Sequence, residues 1–298
     1  MRRFLLICLL GCVFFIGFLL VVESVVIPKL PNEFSYKYDY LDAHRNEITT
    51  LLLGNSYFEN SLNPRLINDS TFDLAVFSRW IGYDAQLLEI FVPIMSNLTT
   101  VIYPMGYKLP FMDYHTNPKK IVDFYHEKYM HVSYNRFPHN VDRWLAIRYS
   151  DRIGFKSWVV AVDSNCRGAF LLYGHENDNW RNEQNILPDV ICQEGVEEAL
   201  EEYTYYLKSM AKVCFDNNVR LIVVTPPCHD SFNENVRQEG INTLYHLIED
   251  AQAVTPFEYK NYLFDEEFRA DSLYFNCSHL NKIGADKFAL RLKEDFDL

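Results

Sequence analysis

The sequence predicts an α/β protein, a three-layer αβα domain around a mostly parallel five-stranded sheet, preceded by one membrane-spanning helix. Three observations carry this expectation. Short apolar runs alternate with stretches of helical periodicity along most of the chain. Short, nearly continuous apolar runs between helical stretches are what a parallel sheet covered on both faces requires. The first 22 residues hold a long uncharged tract behind two arginines.

That tract, Phe4 to Val22, is 19 apolar residues. As a helix it covers about 28 Å, close to the roughly 30 Å of a bilayer's hydrocarbon. Arg2 and Arg3 favour the cytoplasmic side, so a single-pass anchor would place the rest of the chain outside the cytoplasm, in a periplasmic or other extracytoplasmic space. A cleaved signal peptide is the competing reading; its apolar region is shorter, about 7–15 residues, and "VVESVV" is a poor small-x-small site. Residues 1–25 therefore read as an anchor, with residues 4–22 in the bilayer. Residues 26–46, with two prolines and many polar residues, read as a linker. Residues 47–298 form the domain.

Within the domain, "TTLLL" (49–53) is the first strand, and "TFDLAVF" (71–77) is the second. "YDAQLLEIFVPIM" (83–95) has helical spacing, and "LTTVIYPM" (98–105) is the third strand. The long amphipathic stretch 194–218 reads as a helix. "VRLIVVTPP" (219–227) is an almost wholly apolar fourth strand stopped by two prolines, and "TPFEYKNYLFD" (255–265) holds a short fifth. Residues 281–296 form the last helix. Residues 107–193 break the pattern and read as an insertion over the site, in which "SWVVAVD" (157–163) and "AFLLYG" (169–174) could pair as a hairpin.

Composition narrows the function. The net charge of −12 repels a phosphate backbone, so nucleic acid is not an expected partner. Five cysteines lie beyond the anchor, at positions 166, 192, 214, 228 and 277; their odd number and irregular spacing make no disulfide framework and no metal site. His126 and His131, five apart, are off-spacing for two ligands on one helix face and read as part of a solvated helix. No cofactor or metal is implied.

The first strand breaks at Gly54-Asn55-Ser56. Gly54 permits a tight turn, and Ser56 could expose its hydroxyl at the carboxyl edge of the sheet, where ligands of such sheets bind. The same residues could simply cap a helix, since Ser56 and Glu59 have capping-box spacing. Near the other end, His279 precedes the last helix. A serine nucleophile needs a general base, usually histidine, and the base needs an acceptor at its other ring nitrogen. Asn276 lies three residues upstream, and Asp271 eight.

Together the two stretches "LLLGNSYFENSLNP" and "NCSHLNKIGADKF" resemble the first and last blocks of the SGNH, or GDSL-like, hydrolase superfamily. His279, Leu280, Asn281, Gly284, Ala285 and Phe288 match "HLNxxGAxxF" in full. "DLAVFSRWIGYDAQLLEIFVP" and "LIVVTPPCHDSF" resemble segments of the branch that includes the D-alanyl-lipoteichoic acid biosynthesis protein. The resemblance spans about 48–106 and 196–296. It implies a flavodoxin-like domain and a serine esterase or O-acyltransferase, with Ser56 as nucleophile, His279 as base and Asn276 or Asp271 as its orienter. The oxyanion would be held by the Ser56 N–H and a donor at Ser78 or Gly82. The implied substrate is an acylated glycan or envelope polymer, with acetyl one candidate acyl group. A membrane-bound O-acyltransferase is a conceivable partner, and a catalytically weak or inactive module of the same fold, binding glycan or scaffolding such a partner, is the alternative.

The sequence departs from the family in three places. Asn276 stands where the last block carries Asp. Asn55 replaces the Asp of a "GDS" block. No "GxND" block follows the third strand, where "YPMGYK" stands, and "GHENDNW" (174–180) only superficially resembles one, inside the insertion.

Overall fold

The computed structural model describes residues 1–26, 29, 32–114, 120–132, 167–181 and 195–298. The chain begins with helix α1 (Arg2–Val21), long and apolar enough to cross a membrane. Helix α2 (Glu33–His44) follows, then β1 (Thr50–Leu52), the short helices α3 (Ser56–Glu59) and α4 (Pro64–Ile67), and β2 (Thr71–Asp73). Next come α5 (Ile81–Phe91), β3 (Thr100–Pro104), α6 (Lys120–Tyr129), α7 (Val196–Asp216), β4 (Arg220–Thr225) and α8 (Asp230–Asn233). Helix α9 (Gln238–Gln252), β5 (Glu258–Asn261), a ribbon of β6 (Tyr274–Asn276) and β7 (His279–Leu280), and α10 (Lys282–Phe296) complete the described chain.

The five strands pair in the order β2-β1-β3-β4-β5, and every pairing is parallel. This is the doubly wound order in which ligands lie at the strands' carboxyl ends, beside the switch between β1 and β3. Alternation along the strands divides the core. Leu51, Val101, Tyr103, Leu221 and Val223 pack with α2, α5, α7 and α9. Leu52, Ile102, Ile222 and Val224 pack on the other face with Phe58, Ile67 and the α10 residues Phe288 and Leu292. Each such side chain contributes about 1.5–3 kcal/mol on leaving water. The expected three-layer αβα class is therefore the observed one, with the antiparallel β6–β7 ribbon added.

The structure departs from several of these expectations. The segment read as a linker contains α2, closed by a reciprocal cap: Asn32 Oδ1 accepts from the Ser35 N–H at 3.0 Å, and the Asn32 N–H donates to Ser35 Oγ at 3.2 Å. The helix buries Phe34, Leu41 and the whole of Lys37. Lys37 pairs with Glu33 at 2.6 Å and donates to the Ala75 carbonyl. A helix anchored by a buried lysine has little apolar periodicity, which is why it reads as polar linker. The second difference concerns 169–174, which forms no strand. The Phe170 N–H instead donates to Glu59 O at 2.7 Å, the Lys282 N–H donates to Leu172 O at 2.6 Å, and Ala169 and Leu171 pack on Ala285. Residues 157–163, Cys166, Cys192 and most of the expected insertion lie outside the described residues.

Beneath the sheet's carboxyl edge, Arg79 and Asp84 form a fully buried ion pair at 3.1 Å. The same Asp84 oxygen accepts the Gly54 N–H at 3.1 Å, and Arg79 donates to the Leu74 carbonyl at 2.8 Å and to His126 Nε2 at 2.9 Å. His126 is thus buried in this network, not solvated; burial and then the Arg79 charge hold its pKa well below the usual range. Asp84→Asn leaves the Arg79 charge uncompensated and should cost about 3–5 kcal/mol. Thermal unfolding of the full chain in detergent micelles measures this, and a loss under about 1 kcal/mol would contradict it.

Candidate active site

The site begins where β1 ends. Gly54 has φ of +102°, and a Cβ there would lie 2.4 Å from Pro104 Cγ on the neighbouring strand, so both backbone sign and space demand glycine. Asn55, not Ser56, is the N-cap of α3: its Oδ1 accepts the Tyr57 N–H at 3.1 Å. Because Asn55 does the capping, the Ser56 hydroxyl is available for another partner.

That partner comes from more than 200 residues away. The β6–β7 ribbon carries His279 to the sheet edge, where its Nε2 lies 2.8 Å from Ser56 Oγ. Its Nδ1 lies 3.0 Å from Asn276 Oδ1. Two backbone donors, the N–H groups of Ser278 at 3.2 Å and His279 at 3.0 Å, also point at this atom and identify it as the amide oxygen. Nδ1 therefore donates, and Nε2 is left as the acceptor facing Ser56. Ser278 Oγ lies 3.0 Å from the same Nδ1. The Tyr57 ring stacks on His279, with centroids 5.3 Å apart and planes 10° from parallel. Tyr57 fits there because residue 106 is glycine: a Cβ at Gly106 would lie 2.4 Å from the tyrosine ring. This is what "YPMGYK" supplies in place of a "GxND" block.

Ser56, Ser78, Trp80, Lys108, Met112 and His279 are among the residues around a cavity of about 150 Å³. Ser78 has φ of +55°, a left-handed conformation uncommon for serine, and the structure brings it to the same cavity as Ser56. Gly82 is not there; it is buried within the first turn of α5. Asp271 is also elsewhere, 2.9 Å from His229 Nε2 and ion-paired with Arg181. Among the described residues no cluster of His, Cys, Asp or Glu is placed to hold a metal ion. Lys108, Trp80 and Tyr57 line the cavity and Glu176 contacts Asn276 behind the base; all four lie in segments quoted from the sequence, but nothing in those segments marks these positions as part of the site.

Burial, and then the positive charge of Lys108, lower the pKa of His279 to about 4. The imidazole is neutral at pH 7 and can take a proton from Ser56, which is the chemistry of nucleophilic catalysis at a carbonyl. Among the described residues no group accepts from the Ser56 N–H, so it is available to an oxyanion.

No protein-family model and no curated protein matches the chain. Among solved structures, a Streptococcus pneumonia protein named for platelet activating factor aligns over 96% of this chain and 98% of its own, with 12% identity and a TM-score of 0.46. A likeness of that extent supports no statement about this chain's chemistry.

If His279 activates Ser56 as base, the acidic limb of Ser56 reactivity, read as the rate of its covalent labelling against pH, should fall near pH 4, not near the ordinary histidine value. Lys108→Met removes a neighbouring positive charge, makes the imidazolium easier to form, and should move that limb to higher pH. The depressed pKa also means that His279 contributes stability above the unfolded value of 6.5, which is lost as pH falls through about 4. A limb at 6.5 that ignores Lys108 would contradict this picture of the site.

Proposed function

We propose that the protein is a membrane-anchored serine esterase or O-acyltransferase of SGNH type, facing an extracytoplasmic space and acting on acyl groups, acetyl among them, of envelope polysaccharides. The observation that carries the reading is the 2.8 Å contact of Ser56 Oγ with a His279 ring oriented by Asn276. Ser56 Oγ attacks the ester carbonyl carbon while His279 Nε2 takes its proton. The oxyanion lies against the Ser56 N–H, a donor of the kind that contributes about 3 kcal/mol in acyl transfer, with the Ser78 turn lining the same cavity. The tetrahedral species collapses, the C–O bond to the alcohol breaks, and that alcohol leaves with the proton from His279. Water or a sugar hydroxyl then attacks the acyl-enzyme, with His279 again as base. The long apolar helix α1 and its two leading arginines support the location.

A fluorophosphonate probe tests the chemistry directly. The full chain in detergent should label at Ser56, and Ser56→Ala should abolish labelling while the fold remains; an unlabelled, folded wild type would sink the proposal. A second reading, a non-catalytic module of the same fold, draws on Asn276, whose neutral amide cannot balance an imidazolium. It requires that Ser56→Ala leave the cellular phenotype intact.

Lys108 bears on the substrate. It is half-buried at the cavity and makes no ion pair or hydrogen bond among the described residues. An unpaired cation beside the ester favours a substrate with nearby negative charge. Acetyl esters bearing a carboxylate should therefore be cleaved faster than neutral ones, with Lys108→Met removing the difference. Equal rates in the wild type would refute this preference.

A further inference from the structure

The weak point of the site is Asn276, which holds His279 without a charge. Its other face is occupied. Asn276 Nδ2 donates to Glu176 Oε2 at 3.1 Å, so a line of contacts runs from Glu176 through Asn276 and His279 to Ser56 with steps of 3.1, 3.0 and 2.8 Å. We propose that Glu176 is a positioning residue for this site: its carboxylate fixes the Asn276 amide and polarises it toward His279, supplying from one residue further out the negative charge that Asn276 lacks.

Glu176 belongs to a strap that is laced to the ribbon, not to a loose loop. Its own N–H donates to Phe275 O at 2.8 Å, and the Cys277 N–H donates to Trp180 O at 3.2 Å. His175 Nδ1 lies 2.8 Å from Tyr274 O, and its ring stacks on Trp180 with planes 3° apart. Asn281 Nδ2 reaches Gly174 O at 3.4 Å, just ahead of α10. The backbone on both sides of Glu176 is thus tied to the ribbon that carries Asn276 and His279. Trp180 itself is buried on the core face behind Tyr274.

The electrostatics follow from the geometry. A hydrogen bond to an ionised acceptor is stronger than a neutral one, and donors and acceptors along a chain polarise one another. An amide whose N–H is drawn to a carboxylate has a more negative oxygen, which favours the His279 Nδ1–H and the imidazolium that forms when Ser56 loses its proton. Glu176 is solvent-exposed, so its charge is partly screened and its effect is moderate. The segment "GHENDNW" thus has a use different from a third family block: its glutamate contacts the residue behind the base and not the substrate.

The proposal rests on the reading of Ser56 and His279 as nucleophile and base, and the test separates the two. The wild type, Glu176→Gln, Glu176→Ala, Asn276→Asp and the exchange double variant Glu176→Gln with Asn276→Asp are prepared as full chains in detergent micelles. Three quantities are read: the rate of Ser56 labelling by a fluorophosphonate, kcat and KM for 4-nitrophenyl acetate, and the titration of the His279 ring by NMR. Glu176→Ala should lower labelling and kcat roughly 3- to 10-fold at unchanged KM, with a lower His279 pKa. Glu176→Gln, which keeps an acceptor but loses the charge, should retain the KM and show the same downward shift of His279 to a smaller extent. Asn276→Asp alone sets two carboxylates face to face and should gain activity when Glu176→Gln is added, because the glutamine amide then donates to the aspartate. His279 titration, labelling and kcat unchanged in both Glu176 variants would overturn the proposal, as would equal activity of Asn276→Asp and the double variant. If the wild type fails to label, the esterase reading falls, and the His279 titration of Glu176→Ala still decides the role of Glu176.

Discussion

The site depends on one buried ion pair. Arg79 and Asp84 sit where the β1 turn and the segment after β2 must meet, and each makes contacts that water cannot replace. Asp84 grips the Gly54 N–H, which fixes the turn presenting Ser56; Arg79 grips the Leu74 carbonyl, one residue after β2. Burial raises the Asp84 pKa to about 6, against the opposing pull of Arg79 and of the Gly54 N–H. Such a pair costs solvation free energy, and a hydrophobic pair of similar shape could be more stable. What the charged pair adds is direction: its donors and acceptors tie two specific loops in one arrangement, and Ser78 lies between the residues so held.

A second constraint acts from the opposite end of the chain. Asn281 caps α10, with its side-chain oxygen accepting the N–H groups of Ile283 and Gly284, and its amide donates to the Ser272 and Tyr274 carbonyls. One side chain therefore starts the helix and holds the ribbon that carries His279. Gly284 is required beside it, since a Cβ would lie 2.2 Å from the Leu273 carbonyl. Helix α10 in turn packs on the sheet through Phe288 and Leu292. The Ser56–His279 distance is set by this sequence of contacts, all of them short-ranged, between a turn and a ribbon attached to the same sheet.

The elements that the sequence shows best are those governed by burial on both faces of the sheet. β1, β3 and β4 are apolar runs with sharp stops, and α7 and α10 repeat at helical spacing. Their positions follow from local pattern, with boundaries shifted by a few residues. What the pattern hides is whatever is stabilised by polar contacts over distance. Helix α2 is pinned by Lys37 and reads as linker. His126 reads as solvated because nothing nearby in sequence announces Arg79, 47 residues away, as its partner. Asp271, a neighbour of His279 by spacing, is taken by His229 and Arg181.

The sequence by itself determined the class of the fold, the apolar N-terminal helix, and Ser56, His279 and Asn276 as residues worth bringing together, because these follow from side-chain periodicity and from short contiguous motifs. Tertiary structure alone decided which nitrogen of His279 faces Ser56, that Asn55 rather than Ser56 caps α3, that Ser78 rather than Gly82 reaches the cavity, and that Glu176 stands behind Asn276. These outcomes depend on distances of about 3 Å between residues up to 223 positions apart. Hydrogen bonds of that length are directional and local in space, and no one-dimensional pattern encodes them.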